Sequence, residues 1–312
     1  MNSIALILPA YNEELTIAQV IQAFYEEIPE AHIYVIDNNS IDRTAALASK
    51  ALSDLGAKGG VIFESRQGKG NAVRRAFLEI NADVYVMADA DLTYPASRVR
   101  ELIAPILAGD ADMVVGDRHS LGGYQKENKR SFHSFGNALV TTLVNKLFRA
   151  NLVDIMSGYR VFSRRFVKNY AILVEGFEIE TDMTLHSLDK RYRIREVPIE
   201  YIDRPAGSVS KLNTFSDGAK VLFTIFQILC YYRPLFFFGI ISVFFGVLGL
   251  IAAIPVFDDW ITYRYIYHVP LAILAVALEI VAALSLSVSL VLNSITRQYR
   301  MQCERDLLNS NE

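Results

Sequence analysis

In the N-terminal part of the chain, short apolar runs alternate with segments whose apolar residues recur at helical spacing. Ile4–Leu8 is a strand-like run ending at Pro9, and Ile17, Val20, Ile21 and Phe24 then fall on one helical face. Ile33–Ile36 is followed by the Ala-rich stretch from Thr44, and Val61–Glu64 by Val73, Ala76, Phe77 and Ile80. Val84–Ala88 precedes Val99, Leu102, Ile103 and Ile106, and Met113–Val115 closes the series. Side chains repeat about every two residues on a strand and about every 3.6 on a helix, so the two patterns predict different elements. Their βαβα order predicts a largely parallel sheet covered on both faces.

The pattern changes after residue 212. Residues 235–257 carry no charge, and residues 271–292 carry one, Glu279. About 20 apolar helical residues cross a hydrocarbon core, so both segments predict membrane spans rather than buried core helices. Both lie C-terminally, so neither reads as a cleaved signal peptide. Lys211, Lys220 and Arg233 precede the first span, and Arg297, Arg300 and Arg305 follow the second. The connecting loop sets Asp258 and Asp259 against Arg264. Positive charge on the side of both termini predicts that both are cytoplasmic, with the spans in the inner (cytoplasmic) membrane. Lys220, Thr224, Gln227 and Tyr231 form a narrow polar stripe on an otherwise apolar helix, the pattern of a helix lying at a membrane interface. The expected organisation is a soluble domain over 1–212, an amphipathic juxtamembrane helix over 213–234, spans at 235–257 and 271–292, an extracytoplasmic loop at 258–270 and a cytoplasmic tail at 293–312.

Composition adds little to this picture. The 312 residues suffice for one medium α/β domain with an appendage, and a net charge of −3 gives no sign of a nucleic-acid partner. Cys230 and Cys303 lack metal-ligand spacing and read as free thiols of a reducing compartment. A charge at Glu279 is costly near mid-membrane, so this residue is expected against another helix or protonated, in subunit packing rather than catalysis.

Candidate chemistry gathers where the strands end. Pro9-Ala10-Tyr11-Asn12-Glu13 follows the first strand, Asp37-Asn38-Asn39-Ser40 the second, Asp89-Ala90-Asp91 the fourth and Gly116-Asp117-Arg118 the fifth. Ligands of open parallel sheets bind beyond the carboxyl ends of the strands, so four polar ends at one edge point to a site. The first turn has no glycine, which argues against a dinucleotide cofactor. The Asp89/Asp91 pair offers hard oxygen ligands suited to Mg²⁺ or Mn²⁺ shared with a diphosphate. Lys69, between Gly68 and Gly70, could reach a phosphate, although no Walker pattern surrounds it. Glu178 and Glu180 could face a sugar, and Glu180 could equally be a helix N-terminal carboxylate. His119 and His133 read as non-catalytic.

In this order, the PAYNE, Asp-rich, DAD and GDR turns resemble the family-2 glycosyltransferases. Asp154 with Ser157-Gly158-Tyr159-Arg160, then Glu196-Val197-Pro198-Ile199, then Arg204, Gly207 and Ser210-Lys211-Leu212, resemble their polyprenyl-phosphate branch. The branch includes dolichyl-phosphate mannose synthases and bacterial undecaprenyl-phosphate glycosyltransferases with two C-terminal spans. The resemblance implies an α/β glycosyltransferase A-type fold with a mostly parallel central sheet, an interfacial helix and a two-helix transmembrane hairpin. It implies that Pro9, Tyr11, Glu13 and Asp37 bind the nucleotide, to which Lys69 adds a candidate phosphate contact read from its own flanking glycines. Asp89, Asp91 and Thr93 would hold Mg²⁺ or Mn²⁺, and Asp89 would also approach the donor diphosphate. Arg118 would meet phosphate, and Arg204 and Lys211 would clamp the donor diphosphate or the acceptor phosphate. Arg130 and Ser134 are further candidates for the acceptor phosphate. The implied partners are a nucleotide-sugar, a polyprenyl phosphate, the bilayer and further copies of the chain, a tetramer by the resemblance.

Two positions depart from the common pattern: Asn38 stands where a second aspartate is usual, and Thr93 where many relatives have Gln. The expected reaction is inverting sugar transfer from a nucleotide-sugar, UDP-hexose or UDP-N-acetylhexosamine, to polyprenyl phosphate. A membrane polysaccharide synthase is the alternative, but its Gln-x-x-Arg-Trp motif is absent because the single tryptophan is Trp260. A non-enzymatic scaffold binding nucleotide-sugar is the third.

Overall fold

In the computed structural model, residues 2–121, 131–176, 178–201 and 226–309 are described, without the side chains of 131–137, 307 and 309. The chain divides into two compact units, one built mainly from Met1–Asp217 and the other from Gly218–Arg305.

The first unit opens with β1 (Ile4–Ala10), α1 (Ile17–Glu27), β2 (His32–Asp37), α2 (Thr44–Leu55), β3 (Gly59–Phe63), α3 (Lys69–Glu79) and β4 (Val84–Met87). A 3₁₀ turn (Ala96–Arg98), α4 (Val99–Leu107), β5 (Met113–Asp117), α5 (Ser131–Phe148), β6 (Arg160–Ser163), α6 (Arg164–Asn169), α7 (Ile179–Asp189) and β7 (Ile194–Pro198) follow. Among the described residues the strands form one seven-stranded sheet in the order β3-β2-β1-β4-β6-β5-β7. β6 runs antiparallel to both of its neighbours, β4 and β5. The other pairs are parallel.

Strand alternation divides the core. Ile4, Leu6 and Leu8 pack on one face with Ile17, Val20, Ile21 and Phe24 of α1 and Val99, Leu102 and Ile103 of α4. Ala5 and Ile7 pack on the other with Val73, Ala76 and Phe77 of α3, Phe166 of α6 and Met183 of α7. The helical faces read from apolar spacing are thus the buried ones, because helices over a sheet bury one stripe.

His186 of α7 sits in the second core, 4.8 Å from the Tyr170 ring and 5.8 Å from that of Tyr192. Its Nε2 is buried without a hydrogen-bond partner among the described residues. Burial, reinforced by the Lys190 charge, pushes the imidazole down to about 4. An unfolded histidine takes up its proton near pH 6.5, so between that pH and about 4 the unfolded state binds more protons than the folded one. Stability therefore falls as pH drops through this window, by roughly 1–2 kcal/mol at pH 5 from this group. We expect the melting temperature to decline between pH 7 and pH 5, and His186→Phe to flatten that decline. Parallel curves for the two proteins would assign the pH dependence elsewhere.

The second unit contains α8 (Pro234–Tyr263) and all but the last residues of α9 (Val269–Asn309). Both are long and apolar enough to cross a membrane, with mean hydropathies of 2.6 and 2.5 over their most apolar windows. Only 6% and 11% of those windows is buried, unlike the core helices of a soluble protein. Ser242 Oγ donates to Ala282 O at 2.8 Å, and Ser289 Oγ to Leu235 O at 3.4 Å. Gly249 faces the Glu279 carboxyl, and Asp259 accepts hydrogen bonds from the Tyr267 and His268 backbone amides. These pairs run in opposite order along the two helices, which makes an antiparallel hairpin. The helices extend beyond the apolar segments: α8 continues through Asp258-Asp259-Trp260, and α9 carries on past residue 292. Apolarity marks the stretch suited to hydrocarbon, whereas backbone hydrogen bonding decides where a helix stops. Residues 226–232 are helical, while Lys220 and Thr224 of the expected interfacial stripe lie outside the described residues.

Candidate active site

The carboxyl-end turns of the sheet are laced to one another. The Asn12 amide donates to Ser40 Oγ at 3.0 Å, and the Glu13 amide to Thr44 Oγ1 at 2.8 Å. Thr16 Oγ1 donates to Ala90 O at 2.7 Å, which ties the first turn to the DAD turn. Asp37 is buried and accepts from the Ser40 amide. Asn38 is also buried; its Nδ2 donates to Arg66 O at 2.6 Å and its Oδ1 accepts from the Gly68 amide at 2.7 Å. An aspartate could not make both bonds, because an ionised carboxylate only accepts. The departure at Asn38 thereby fixes the turn that leads to Lys69.

Lys69 is the first residue of α3 and is sunk into the site. Gly68 and Gly70 lie so close to the backbone carbonyls of Glu175 and Val174 that a Cβ at either position would overlap them. The helix start is therefore wedged against the segment preceding α7. Lys69 Nζ bridges Asp89 Oδ1 and Glu180 Oε1, each at 2.5 Å. Burial works to lower the Lys69 pKa, but the Asp89 and Glu180 charges outweigh it and the net shift is upward.

Asp91 is buried and accepts from Thr93 Oγ1 at 2.6 Å and from the Thr93 amide. Leu92, between them, has φ +63°, an uncommon conformation that holds the turn tight. Among the described residues, no group of three or more His, Cys, Asp or Glu could hold a metal. Two carboxylates and a hydroxyl still fit Mg²⁺ or Mn²⁺ when the remaining oxygens come from a substrate diphosphate. The Thr93 hydroxyl, which donates its hydrogen to Asp91, keeps oxygen lone pairs with which it could meet the metal.

The Ser157-Gly158-Tyr159-Arg160 run forms the roof beside Asp89. A Cβ on Gly158 would come within 3.1 Å of both Asp89 oxygens, and the Gly158 amide donates to Tyr94 OH at 2.8 Å. Arg160 is fully buried and props this loop from below, donating to Ser157 O, Ile155 O and Thr184 Oγ1. Arg118, expected to meet phosphate, is buried against Asp154 in a two-pronged pair of 2.7 and 2.9 Å. Its guanidinium also lies 5.8 Å from the Tyr201 ring. Burial raises the Asp154 pKa and Arg118 lowers it, with a net lowering. Glu196 accepts from the Val153 and Asp154 amides, and burial raises its pKa. His119 Nε2 lies 3.9 Å from Asp154 Oδ1.

The structure thus brings Lys69, Asp89, Asp91 and Thr93 into neighbouring turns, with Asp37 at the end of β2 and Pro9, Tyr11 and Glu13 at and after the end of β1. Arg118 stands at the end of β5, engaged with Asp154. Arg130, Arg204 and Lys211 lie outside the described residues, as does the side chain of Ser134. Glu180, which sequence left between two roles, is buried inside the cluster. Nothing in local spacing pairs it with Lys69, 111 residues away.

A parallel-rich α/β sheet with acidic turns at its carboxyl edge puts the site where ligands of open sheets bind. Residues 5–171 match glycosyl transferase family 2, and the chain belongs to that family. Glycosyltransferase AglJ of Haloferax volcanii is 32% identical over 280 residues, 88% of each chain. A polyprenol monophosphomannose synthase of Mycolicibacterium smegmatis is 27% identical, covering 72% of this chain and 84% of that one. The structure of glucosyl-3-phosphoglycerate synthase from Mycobacterium tuberculosis with Mn²⁺, UDP and phosphoglyceric acid superposes with a TM-score of 0.57. It is 21% identical, over 73% of this chain and 78% of that one. The fold is the glycosyltransferase A type, and the two apolar helices mark a membrane protein.

Proposed function

We propose that the chain transfers a hexose or N-acetylhexosamine from a uridine diphosphate sugar to a polyprenyl phosphate, with inversion. Transfer takes place at the cytoplasmic face of the membrane, with both termini cytoplasmic. The observation that carries the reading is one chain joining an Asp89/Asp91 turn at the sheet's carboxyl edge to a pair of unburied apolar helices. A relative named for polyprenol phosphate chemistry supports the choice of acceptor.

The acceptor phosphate has a second pKa of about 6 and is largely a dianion near neutral pH. One of its oxygens forms the bond to the anomeric carbon as the bond to the nucleoside diphosphate oxygen breaks. The electron pair leaves with the nucleoside diphosphate, and no proton need be moved by a protein base. Asp89 and Asp91, with Thr93, would hold the divalent cation, which supplies charge neutralisation for the departing diphosphate. Pro9, Tyr11, Glu13 and Asp37 line the nucleoside side. Arg118, held by Asp154, faces phosphate from the β5 turn, and Arg130, Ser134, Arg204 and Lys211 serve the lipid phosphate. Further copies of the chain assemble through the membrane unit.

The test is purified full-length protein in detergent, given a panel of labelled nucleotide-sugars and a short polyprenyl phosphate. Transfer of one sugar to the lipid phosphate is expected. Polymer formation, or donor binding without turnover across the panel, would replace this reading with one of the alternatives. Neutral substitutions at Arg204 and Lys211 together are expected to cut the initial rate at least about tenfold, since charge-assisted phosphate contacts exceed neutral ones in strength. Their melting curves should remain those of the wild type. An unchanged rate would remove the two residues from the site.

A further inference from the structure

The buried Lys69 ammonium and the expected divalent cation have a claim on the same carboxylate. Lys69, Asp89 and Glu180 arrive from the start of α3, the turn after β4 and the first turn of α7. The Lys69 and Glu180 side chains are 8% and 7% exposed, whereas Asp89, at 28%, retains an open side. Gly158 closes over the pair from one direction, near both Lys69 Nζ and the Asp89 carboxylate. The Lys69 backbone cannot retreat, because its flanking glycines are wedged against Glu175 and Val174. What can move is the flexible four-carbon stem of the lysine, carrying a charge with two carboxylates to choose between.

We propose that Lys69 is a built-in counter-ion that neutralises Asp89 in the ligand-free chain, and that Glu180 is its positioning residue. Glu180 retains Lys69 when Asp89 turns to the divalent cation. This inference rests on the reading that Asp89 and Asp91 share that cation with a nucleoside diphosphate. The physical case is one of substitution. Without Lys69 the Asp89 carboxylate and the buried Glu180 carboxylate would share the site with no counter-charge between them, which carries a cost. Lys69 removes that cost while the site is empty, and in doing so competes with the metal. Glu180 limits the penalty of the exchange, because the displaced ammonium keeps one ion pair instead of none. The Lys69 charge, turned from Asp89, is then available to the diphosphate. Metal and nucleotide binding become mutually reinforcing, so that the enzyme takes up little metal without its donor.

The test measures Mn²⁺ binding to the full-length protein in detergent by electron paramagnetic resonance, with and without UDP or GDP. Lys69→Met is expected to bind nucleotide-free Mn²⁺ about tenfold more tightly than wild type, the scale of one charge-assisted bond no longer competing. Glu180→Gln is expected to bind it several-fold more weakly, because the ammonium then rests on Asp89 alone. The double variant should match Lys69→Met, since Glu180 acts only through the lysine. The gain in Mn²⁺ affinity on adding UDP should be larger in wild type than in Lys69→Met. Melting curves establish folding, and Lys69→Gln, which keeps a donor to both carboxylates, replaces Lys69→Met should that variant not fold. Unchanged or weaker nucleotide-free binding in Lys69→Met or Lys69→Gln overturns the inference and leaves the metal reading intact. So does a further loss from Glu180→Gln in the Lys69→Met background, which would make Glu180 a ligand itself. Wild type that takes up no Mn²⁺ with either nucleotide overturns the metal reading and this inference together.

Discussion

Replacing Asp91 by alanine is expected to lower sugar transfer by about 10²–10³-fold, the scale of losing one preorganised electrostatic contact to a leaving group. Asp91 is buried within a turn held by Thr93 and by the left-handed Leu92. Its carboxylate is thus fixed before any substrate arrives, which is the condition for stabilising developing charge without reorganisation. Asp89→Ala should have a comparable effect and should also free Lys69 from one of its two carboxylates. Initial rates over a range of Mn²⁺ and Mg²⁺ concentrations separate the roles. Rescue of Asp91→Ala by excess metal would mean a weakened site, and loss at every concentration a disrupted one. Activity within tenfold of wild type, or full activity after chelation, would contradict the assignment of both aspartates.

Asp154→Ala is expected to be the most damaging change to stability, costing about 3–5 kcal/mol, because it strips a buried guanidinium of its two-pronged partner. Asp154 accepts from Arg118 Nε at 2.7 Å and Nη2 at 2.9 Å while its own amide donates to Glu196. One residue therefore links the β5 turn, through its side chain, and β7, through its backbone amide, to the loop leading to Gly158. Asp154→Asn keeps the shape and loses the charge, so it should fall between the alanine variant and wild type. The native carboxylate is held below its usual pKa, so its contribution is present above the unfolded value and fades as pH falls through the folded one. Thermal melting in detergent at neutral pH checks the order. A wild-type midpoint for Asp154→Ala would show that Arg118 finds adequate compensation elsewhere.

Local pattern carried much of this protein. Apolar spacing alone identified the buried stripes of α1 and α4, and the acidic turns after β1, β2, β4 and β5 were visible as residues. β6 and β7 were not legible as strands. β6 is four residues long and includes the buried Arg160, and β7 mixes Arg195 and Glu196 into a short edge strand. A charge inside a core segment hides it from any reading by apolarity. Its burial depends on the nearby Ile155 O and also on Thr184 Oγ1, which the fold delivers from α7.

The sequence by itself determined the alternation of elements, the two apolar helices, the set of acidic turns and the family. Each depends on residues near one another in the chain, where spacing and hydrocarbon length impose the outcome. Only the tertiary structure decided that Lys69 lies between Asp89 and Glu180, that Arg118 is held by Asp154, and that Asn38 rather than aspartate suits its turn. Such pairings are set by strand order, by the close approach of backbones at Gly68 and Gly70, and by the room that Gly158 leaves for the Lys69 and Asp89 side chains. A buried charge takes whichever partner the fold brings within hydrogen-bond reach, and the distance along the chain does not enter that choice.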